Sequence, residues 1–391
     1  MTMAAMLAAS TDAATVSTPR KTSKPKSVVE NPKAKKKIAG KRRRRRVSRY
    51  EFVNGHRLKR NRYREHYATS SFVDQDLTVG DLTAGEDPVV RAAAIDALGN
   101  HNGTVVAIDP NSGRILAMVN QKMALSEGGE PCSTIKISVA LAALSENVVT
   151  RETKIQLGRR MRMDMTQALA HSNNAYFEAL GRKMGFEKVS YYAHQFGLGE
   201  LAGWNVEGEH LGVFPSAELP SSMGGVGRMC SFGQGISMTP LQLGALVSAI
   251  ANGGTLYYLQ HPTTADEVAS FEPRVKRYLD IGPVIPEVSP GMAGAVRYGT
   301  AQSVGWNFTE EEVLGKTGTC SNNGTRFGWF ASYANTSAGK VAVVVFLEGG
   351  RPTFGPKAAE IAGRMYRNLY DHSFFVKTTA PPDKIGLGVA Q

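Results

Sequence analysis

The chain has 391 residues, 42% of them hydrophobic and 20% charged, a length that allows one large domain or two modest ones with a sizeable core. The formal net charge is +12, but residues 1–65 hold 20 Lys and Arg against 4 Asp and Glu, whereas the remaining 326 residues hold 26 against 30. Three cysteines exclude a disulfide framework. Because no Cys-x-x-Cys or His-x-x-x-His spacing occurs, no metal and no other cofactor is predicted.

Residues 1–70 are predicted to form a disordered basic tail. They contain the basic runs 33–37 and 41–46 and are rich in Ser, Thr, Pro and Ala. Such runs can bind nucleic acid or anionic lipid, so an anionic membrane surface is a candidate partner, with a solvated stub as the favoured interpretation. No nucleic-acid fold is recognisable around the tail's aromatic residues, so no specific nucleic acid is expected.

The first elements predicted after the tail are the two strands of a hairpin. Residues 105–108 and 114–119 are strand-like runs, and the turn sequence Asp-Pro-Asn-Ser-Gly at 109–113 separates them. The hairpin opens the body of the chain, which is expected to span residues 76–372 as one domain, with a flexible tail at 373–391.

The sequence Ser133-Thr-Ile-Lys136 is predicted to stand at the start of a buried helix. A turn-like Gly-Gly-Glu-Pro-Cys segment precedes it, and the apolar residues 135–144 follow. Positions i and i+3 share a helix face, so the Lys136 amine can reach the Ser133 hydroxyl. A serine becomes a strong nucleophile when a base takes its proton, and a lysine can be that base once burial or a second cation lowers its pKa. Taken by itself, Ser133 would more often be a helix N-cap, the commonest role of a serine at a helix start.

The second motif, Ser172-Asn-Asn174, is predicted at a junction between two helical segments, residues 165–171 and 175–180. Ser172 is a candidate proton relay between Lys136 and a leaving amine, and Asn174 is a candidate ligand of a substrate amide. A helix cap or loop is the structural alternative. No sequence signal connects His171 to Ser133, so it is interpreted as a structural histidine.

The third motif, Lys316-Thr-Gly-Thr319, lies in the first of three strand-like runs, at residues 313–320, 325–333 and 341–347. Lys316 is the candidate second cation and could also hold a substrate carboxylate. Thr317, Gly318 and Thr319 are candidate substrate-binding residues along a strand edge, and a glycine within a strand indicates close approach of another backbone. The backbone N–H groups of Ser133 and Thr319 are the candidate oxyanion hole.

A final amphipathic helix is predicted at residues 357–370. Strands at both ends of the body with helices between them predict an α/β chain of the α+β type, with one antiparallel sheet flanked by helices.

The order of the three motifs resembles the active-site set of penicillin-binding protein transpeptidases, which share a superfamily with serine β-lactamases. Further segments resemble the family as well, and the likeness runs from about residue 88 to residue 370: 103–118, 231–243, 251–254, 298–300 and 327–333. The resemblance implies five strands in the antiparallel sheet. Cys132 departs from the family pattern, which often has glycine before the nucleophile.

The resemblance also implies a reaction and a place in the cell. Ser133 would attack the D-Ala-D-Ala bond of a peptidoglycan stem peptide, and an amine of a neighbouring stem would resolve the acyl-enzyme into a crosslink. β-Lactam antibiotics would be trapped on Ser133. The family implies the cell envelope, at the outer face of the cytoplasmic membrane, although the sequence shows no signal peptide and no run of about 18 apolar residues.

Two alternatives to a transpeptidase remain open. One is a serine β-lactamase of the class D kind, and the other is a non-catalytic penicillin-recognising sensor or binding protein. Glu207, Glu209 and Glu218 lack the context of a class A deacylating glutamate, and the second motif is Ser172-Asn-Asn174 where class C enzymes have Tyr-x-Asn. The Gly-Gln-Gly sequence at 233–235 and the Thr-Pro-Leu-Gln sequence at 239–242 favour the transpeptidase.

Two of the three cysteines flank candidate catalytic motifs. Cys132 directly precedes Ser133, and Cys320 directly follows Thr319, so the two are predicted to lie close together if the oxyanion hole forms as argued. Cys320 is one step beyond Thr319 on a strand, and its side chain is therefore expected on the opposite face. Proximity without a disulfide is the prediction, and Cys230 is interpreted as an idle thiol.

Overall fold

The structure is a computed structural model that describes residues 50–53, 56–59, 67–336 and 339–375. The chain divides into two units, Met1–Tyr63 and Arg64–Gln391. The predictions for residues 1–49 and 376–391, including the flexible C-terminal tail beyond 375, lie outside the described residues.

In the first unit the structure describes one antiparallel hairpin of β1 (Tyr50–Val53) and β2 (His56–Lys59). It stands within the segment for which the sequence analysis predicts a disordered tail. Its two strands flank an Asn-Gly dipeptide, a strong local signal for a tight hairpin, and the high charge of the surrounding sequence obscured that signal.

The second unit has the α+β architecture expected, and this prediction is confirmed. Its strands are β3 (Gly103–Ile108), β4 (Ile115–Val119), β5 (Ile155–Gln156), β6 (Arg162–Met163), β7 (Thr255–Tyr257), β8 (Val275–Tyr278), β9 (Glu312–Asn322), β10 (Thr325–Thr336) and β11 (Gly339–Gly349). Its helices are α1 (Pro88–Leu98), α2 (Gln121–Ala124), α3 (Ile135–Ser145), α4 (Met165–Ala170), α5 (Asn174–Met184), α6 (Phe186–Gln195), α7 (Gly225–Phe232), α8 (Pro240–Ala251), α9 (Ala265–Ala269), α10 (Ile285–Arg297) and α11 (Gly355–Asp371).

The main sheet has five antiparallel strands in the order β4-β3-β11-β10-β9. Strand β9 therefore lies at one edge of the sheet and pairs with β10 alone among the described strands. Its register places Lys316 opposite Ala331 and Gly318 opposite Trp329. Strand β9 carries the third motif, and its outer edge is available to pair with another chain segment.

The sheet separates two hydrophobic layers. On β11, Val344 and Phe346 belong to the layer that contains α3 and α8, whereas Val343 and Val345 belong to the layer that contains α1 and α11. Side chains alternate between the faces of a strand, so a strand covered on both faces must be apolar throughout. Burial on both faces is therefore the reason why β11 is a continuous apolar run in the sequence.

Helix α3 lies in the middle of its layer, and its first ten residues are all buried. Before its last residue, Ser145, this helix is apolar on every side except at Lys136 and Ser138, which is typical of a helix surrounded by other elements. A lysine in its first turn is therefore buried as well. No helix in the described ranges combines the length and the apolar character needed to cross a membrane.

Residues 67–71, which precede the expected start of the body at residue 76, form hydrogen bonds to residues of that body. The backbone N–H of Ala68 donates to the carbonyl of Gly324 over 2.8 Å, and the buried Ser71 hydroxyl accepts from the N–H of Gly350 over 2.8 Å. These contacts place residues 67–71 against the loops at one end of the sheet. We propose that the tail ends before Tyr67, rather than at residue 70.

Candidate active site

The fold brings the three motifs together at one place beside strand β9. Ser133 lies in the 3₁₀ turn Cys132–Thr134, which leads directly into α3. Ser172 lies in the turn between α4 and α5, and Asn174 is the first residue of α5. Lys316 projects from β9. The predicted helix start at Ser133 and the predicted helix junction at Ser172 are both confirmed.

The Lys136 amine lies at the centre of this cluster. Its Nζ is 2.7 Å from the Ser133 Oγ, 2.6 Å from the Asn174 Oδ1, and 3.0 and 3.1 Å from the carbonyl and hydroxyl oxygens of Ser172. The side chain is fully buried. A neutral amine has two N–H donors and one lone pair, so it can donate to Asn174 and to the Ser172 carbonyl while it accepts from one hydroxyl.

Two hydroxyls compete for that lone pair. The Ser133 Oγ is the nearer at 2.7 Å from the Lys136 Nζ, and the Ser172 Oγ lies 3.1 Å from it. The Ser172 Oγ also lies 2.9 Å from the Nζ of Lys316, which donates in addition to the Thr317 carbonyl over 2.9 Å. Ser172 therefore stands between two amines, the geometry that a proton relay requires.

The environment favours different charge states for the two lysines. Burial lowers the pKa of Lys136 well below its usual value; the nearby Lys316 charge lowers it further, and the Glu178 carboxylate opposes this in part. Burial lowers the pKa of Lys316 to about 7. Two amines that share one hydroxyl repel each other when both are protonated. Burial and the neighbouring cation act together on Lys136, so of the two amines Lys136 is the one whose neutral form is more strongly favoured.

The side chains of β9 alternate between two faces. Lys316 and Cys320 face the start of α3, and a Cβ on Gly318 would lie 2.8 Å from the Pro131 carbonyl oxygen. The prediction that Gly318 marks a close backbone approach is confirmed. The hydroxyls of the two threonines already have partners elsewhere: Thr317 bonds to Thr300 over 2.6 Å, and Thr319 accepts from the N–H of Gly355 over 2.7 Å.

Cys132 and Cys320 form a disulfide, with their Cα atoms 5.5 Å apart. The predicted proximity is confirmed, but the prediction that the two would not bond is wrong. The face of Cys320 was inferred from Thr319, whereas Lys316 is the residue on β9 whose side chain enters the site. Counted from Lys316, residue 320 falls on the same face because side chains alternate with a period of two.

The disulfide has two structural consequences. It closes a chain segment with a sequence separation of 188 residues, which on the chain-entropy account contributes about 5 kcal/mol to stability. It also holds Cys132 at a φ of 52°, in the left-handed region that glycine adopts without steric cost.

Some residues of the site carry no signal that the sequence analysis could interpret. Thr300 fixes Thr317, Glu178 acts on the charge of Lys136, and the Trp329 indole N–H donates to the Glu130 carbonyl over 3.0 Å. Thr300 stands in a segment that resembles the family, but its contact partner could not be read from spacing. His171 packs its ring against Tyr298, with ring centroids 5.8 Å apart.

No group of three or more His, Cys, Asp or Glu residues that could hold a metal ion occurs within the described ranges. What the site offers is a serine hydroxyl in contact with a buried amine, a second hydroxyl between two amines, and a strand edge beside them.

The family model for the penicillin binding protein transpeptidase domain matches residues 103–370. Stage V sporulation protein D of Bacillus subtilis is 29% identical over 318 residues, covering 67% of this chain and 48% of that protein. Peptidoglycan D,D-transpeptidase MrdA of Acinetobacter baumannii is 24% identical over 361 residues, covering 72% of this chain and 52% of that protein. The chain thus spans about half the length of these relatives.

Solved structures of similar fold include PBP2 of Pseudomonas aeruginosa, with a TM-score of 0.63 and 24% identity over 75% of this chain and 78% of that one. The D,D-transpeptidase domain of a peptidoglycan glycosyltransferase from Eggerthella lenta has a TM-score of 0.59 and 20% identity, covering 73% of this chain and 82% of that one. At these identities the likeness shows the fold.

Proposed function

Since the chain belongs to the family of penicillin-binding protein transpeptidase domains, we propose that it is a serine D,D-transpeptidase that crosslinks peptidoglycan stem peptides through an acyl-enzyme on Ser133. The observation that carries the proposal is the 2.7 Å contact between the Ser133 hydroxyl and a fully buried Lys136 amine whose pKa is lowered. A neutral amine at this distance is a base in position to activate the serine.

In the acylation step, the Ser133 Oγ attacks the carbonyl between the two D-alanines while its proton passes to the Lys136 Nζ. The N–H groups of Ser133 and Thr319 stabilise the negative charge that develops on the carbonyl oxygen. The stem peptide lies extended along the free edge of β9, as a strand added to the sheet. Gly318 lies where β9 comes closest to the turn before α3, and a residue with a Cβ there would clash with the Pro131 carbonyl oxygen.

The terminal D-alanine must leave as an amine, and it needs a proton. Lys136, now protonated, gives its proton through the Ser172 hydroxyl, which lies 3.1 Å from the Lys136 Nζ. The Lys316 cation, 2.9 Å from the same hydroxyl, orients it and attracts the substrate carboxylate. The Asn174 Oδ1 is occupied by Lys136, so the Asn174 amide N–H₂ is the group left for a substrate carbonyl.

The second half-reaction uses the same groups in reverse. An amine of a neighbouring stem enters where D-alanine left, gives a proton through Ser172 to Lys136 and attacks the ester carbonyl. Expulsion of the Ser133 oxygen returns the proton from Lys136 and completes the crosslink. A β-lactam would acylate Ser133 by the first half-reaction and leave no diffusible amine, so its ring nitrogen would stay beside the ester.

Labelled penicillin is expected to attach to the peptide that contains Ser133. Peptide mapping by mass spectrometry after proteolysis checks this outcome, and Ser133→Ala serves as the variant that takes up no label. Label on a different serine would contradict the assignment.

Turnover of a chromogenic cephalosporin separates the alternatives: a transpeptidase forms a long-lived adduct, a β-lactamase releases product continuously, and a non-catalytic binding protein takes up no covalent label.

Replacement of Lys316 by glutamine is expected to move the acidic limb of the acylation rate profile to higher pH. The Lys316 charge lowers the pKa of Lys136, so its removal raises that pKa, and a larger share of Lys136 is protonated and inactive at neutral pH. At pH 7 the rate should fall about tenfold or more, because the ordering of Ser172 is lost too.

The matched variant is Lys316→Arg, which keeps the positive charge but displaces it. It should lower the rate and leave the acidic limb near its wild-type position. Acylation by a fluorescent penicillin between pH 5 and 9 measures both variants. If the acidic limb of the rate profile of Lys316→Gln stays in place or moves to lower pH, Lys316 does not lower the pKa of Lys136.

The proposed function implies peptidoglycan stem peptides and β-lactams as partners and the outer face of the cytoplasmic membrane as the place of action. A disulfide supports this location, since structural disulfides persist in oxidising compartments and are rare in the cytosol. Contact of the basic tail with an anionic membrane surface stays a proposal, because its basic runs lie outside the described residues.

A further inference from the structure

The Cys132–Cys320 disulfide joins the same two backbone segments that form the proposed oxyanion hole. Cys132 directly precedes Ser133, and Cys320 directly follows Thr319. The two N–H groups that would hold one substrate oxygen therefore belong to residues adjacent to the two ends of one covalent link. A change in the separation of these segments would change the separation of the two donors.

On the nucleophile side, the backbone of Cys132 determines where the Ser133 N–H points, because that N–H belongs to the peptide unit between the two residues. Cys132 adopts a φ of 52°, which is unfavourable for a residue with a Cβ. Such a conformation persists where surrounding contacts hold it. Cys132 is fully buried, and its sulfur is anchored to β9, so the disulfide is one of those contacts.

On the other side, the link reaches the edge strand of the sheet. Strand β9 has β10 as its one strand neighbour among the described residues, and the Thr319 hydroxyl accepts from the N–H of Gly355 on the face away from Ser133. The Trp329 indole also binds the nucleophile turn, but from β10 and at Glu130, two residues ahead of Cys132. The disulfide is the covalent connection between β9 and that turn.

We propose that this disulfide is a positioning crosslink for the oxyanion hole, and that its reduction by a dithiol slows the acylation of Ser133. The inference rests on the proposed function and adds a redox control to it. Oxidised, the link holds both donors at the distance that one oxygen requires. Reduced, the turn before α3 and the end of β9 can separate, and Cys132 can leave its left-handed conformation.

The chemistry of reduction is thiol–disulfide exchange with a dithiol. Cys320 is partly exposed and Cys132 fully buried, so one thiolate of the dithiol attacks the Cys320 sulfur and the Cys132 sulfur leaves as a thiolate. The start of α3 stabilises that negative charge. The second thiol of the reductant then displaces Cys320. The protein gains two electrons and two protons, and the dithiol becomes a disulfide.

The test measures acylation of the full chain by a fluorescent penicillin before and after treatment with dithiothreitol, with thiol alkylation and mass spectrometry to verify the state of the bond. The acylation step should slow about tenfold while the initial binding constant changes less, and reoxidation should restore the rate. A crosslink that serves stability alone would lower the melting temperature and leave the acylation step unchanged. That result, or unfolding upon reduction, overturns the proposal.

Variants distinguish the effect of the disulfide on acylation from the effect of the left-handed backbone conformation of Cys132. Cys320→Ser should acylate slowly and be indifferent to dithiothreitol, whereas Cys230→Ala, which changes a buried thiol in α7, should respond like the wild type. Cys132→Gly should acylate faster than Cys132→Ala, because glycine adopts the left-handed conformation without steric cost. A Cys320→Ser variant that matches the oxidised wild type would contradict the proposal.

Amide hydrogen exchange gives a readout that does not depend on catalysis. Reduction should speed exchange in the peptides that contain Ser133 and Thr319, and unchanged exchange there would overturn the positioning role. If neither the oxidised nor the reduced protein acylates, the proposed function fails, and hydrogen exchange alone then decides whether the disulfide positions the two segments.

Discussion

Replacement of Lys136 by alanine is expected to lower the rate of acylation about 10³-fold or more. In the structure, Lys136 is the amine within hydrogen-bonding distance of the Ser133 hydroxyl, and Lys316 contacts Ser172 instead. Without Lys136 the serine keeps its proton when it approaches the carbonyl. The rate constant for acylation by a fluorescent penicillin, measured at saturating ligand, checks the expected loss.

Two companion variants make this result specific. Lys136→Arg keeps a positive charge but cannot become neutral, so it should be as slow as the alanine variant if the amine acts as a base. Lys183→Ala removes an exposed lysine from α5 and should acylate like the wild type. Thermal unfolding verifies that each variant is folded. Acylation by a folded Lys136→Ala within tenfold of wild type would refute the proposed mechanism.

Replacement of Gly318 by alanine is expected to lower acylation about 10²-fold, although the new methyl group touches no reacting atom. The added Cβ would lie 2.8 Å from the Pro131 carbonyl oxygen and 3.1 Å from both the Thr134 methyl group and the Trp329 Cβ. A backbone carbonyl cannot turn aside as a flexible side chain can. Strand β9 and the turn that carries Ser133 must therefore separate, and the two proposed oxyanion donors separate with them.

Gly305 supplies the matched control for this prediction. A Cβ at Gly305 would meet no atom within 4 Å, so Gly305→Ala should leave acylation and stability unchanged. Gly318→Ala should also unfold at a lower temperature, since overpacking of a close contact costs about 1–3 kcal/mol. A Gly318→Ala protein that acylates within threefold of wild type would show that the close approach to Pro131 does not position the site.

Much of the fold followed from local patterns of apolar residues. The strand predicted at 341–347 lies within β11, and the helix predicted at 357–370 matches α11 to within two residues at each end. Both elements are long: β11 buries a continuous apolar run between two layers, and α11 buries apolar side chains at helical spacing. Hydrophobic burial is the main term in folding, so patterns of this length indicate both the element and the way it is covered.

Elements with weaker patterns were missed or placed on the wrong face. The hairpin β1–β2 is short and lies in a basic segment, where composition favoured disorder over the Asn-Gly signal. The predicted face of Cys320 was wrong because the alternation along β9 was counted from the Thr319 backbone N–H and not from the Lys316 side chain. A period of two identifies which residues share a face, and a contact is needed to decide which face it is.

The sequence by itself determined the set of chemical groups and their local placement: a serine and a lysine one helical turn apart, a polar break between two helices, and a glycine within a strand. These depend on spacings of a few residues, which backbone geometry converts directly into neighbours. Only the tertiary structure decided that Lys136 is fully buried, that Ser172 lies between two amines, and that Cys132 bonds to Cys320. Burial, pKa and long-range contact arise from the packing of segments far apart in the chain, and no local spacing encodes the distance between them.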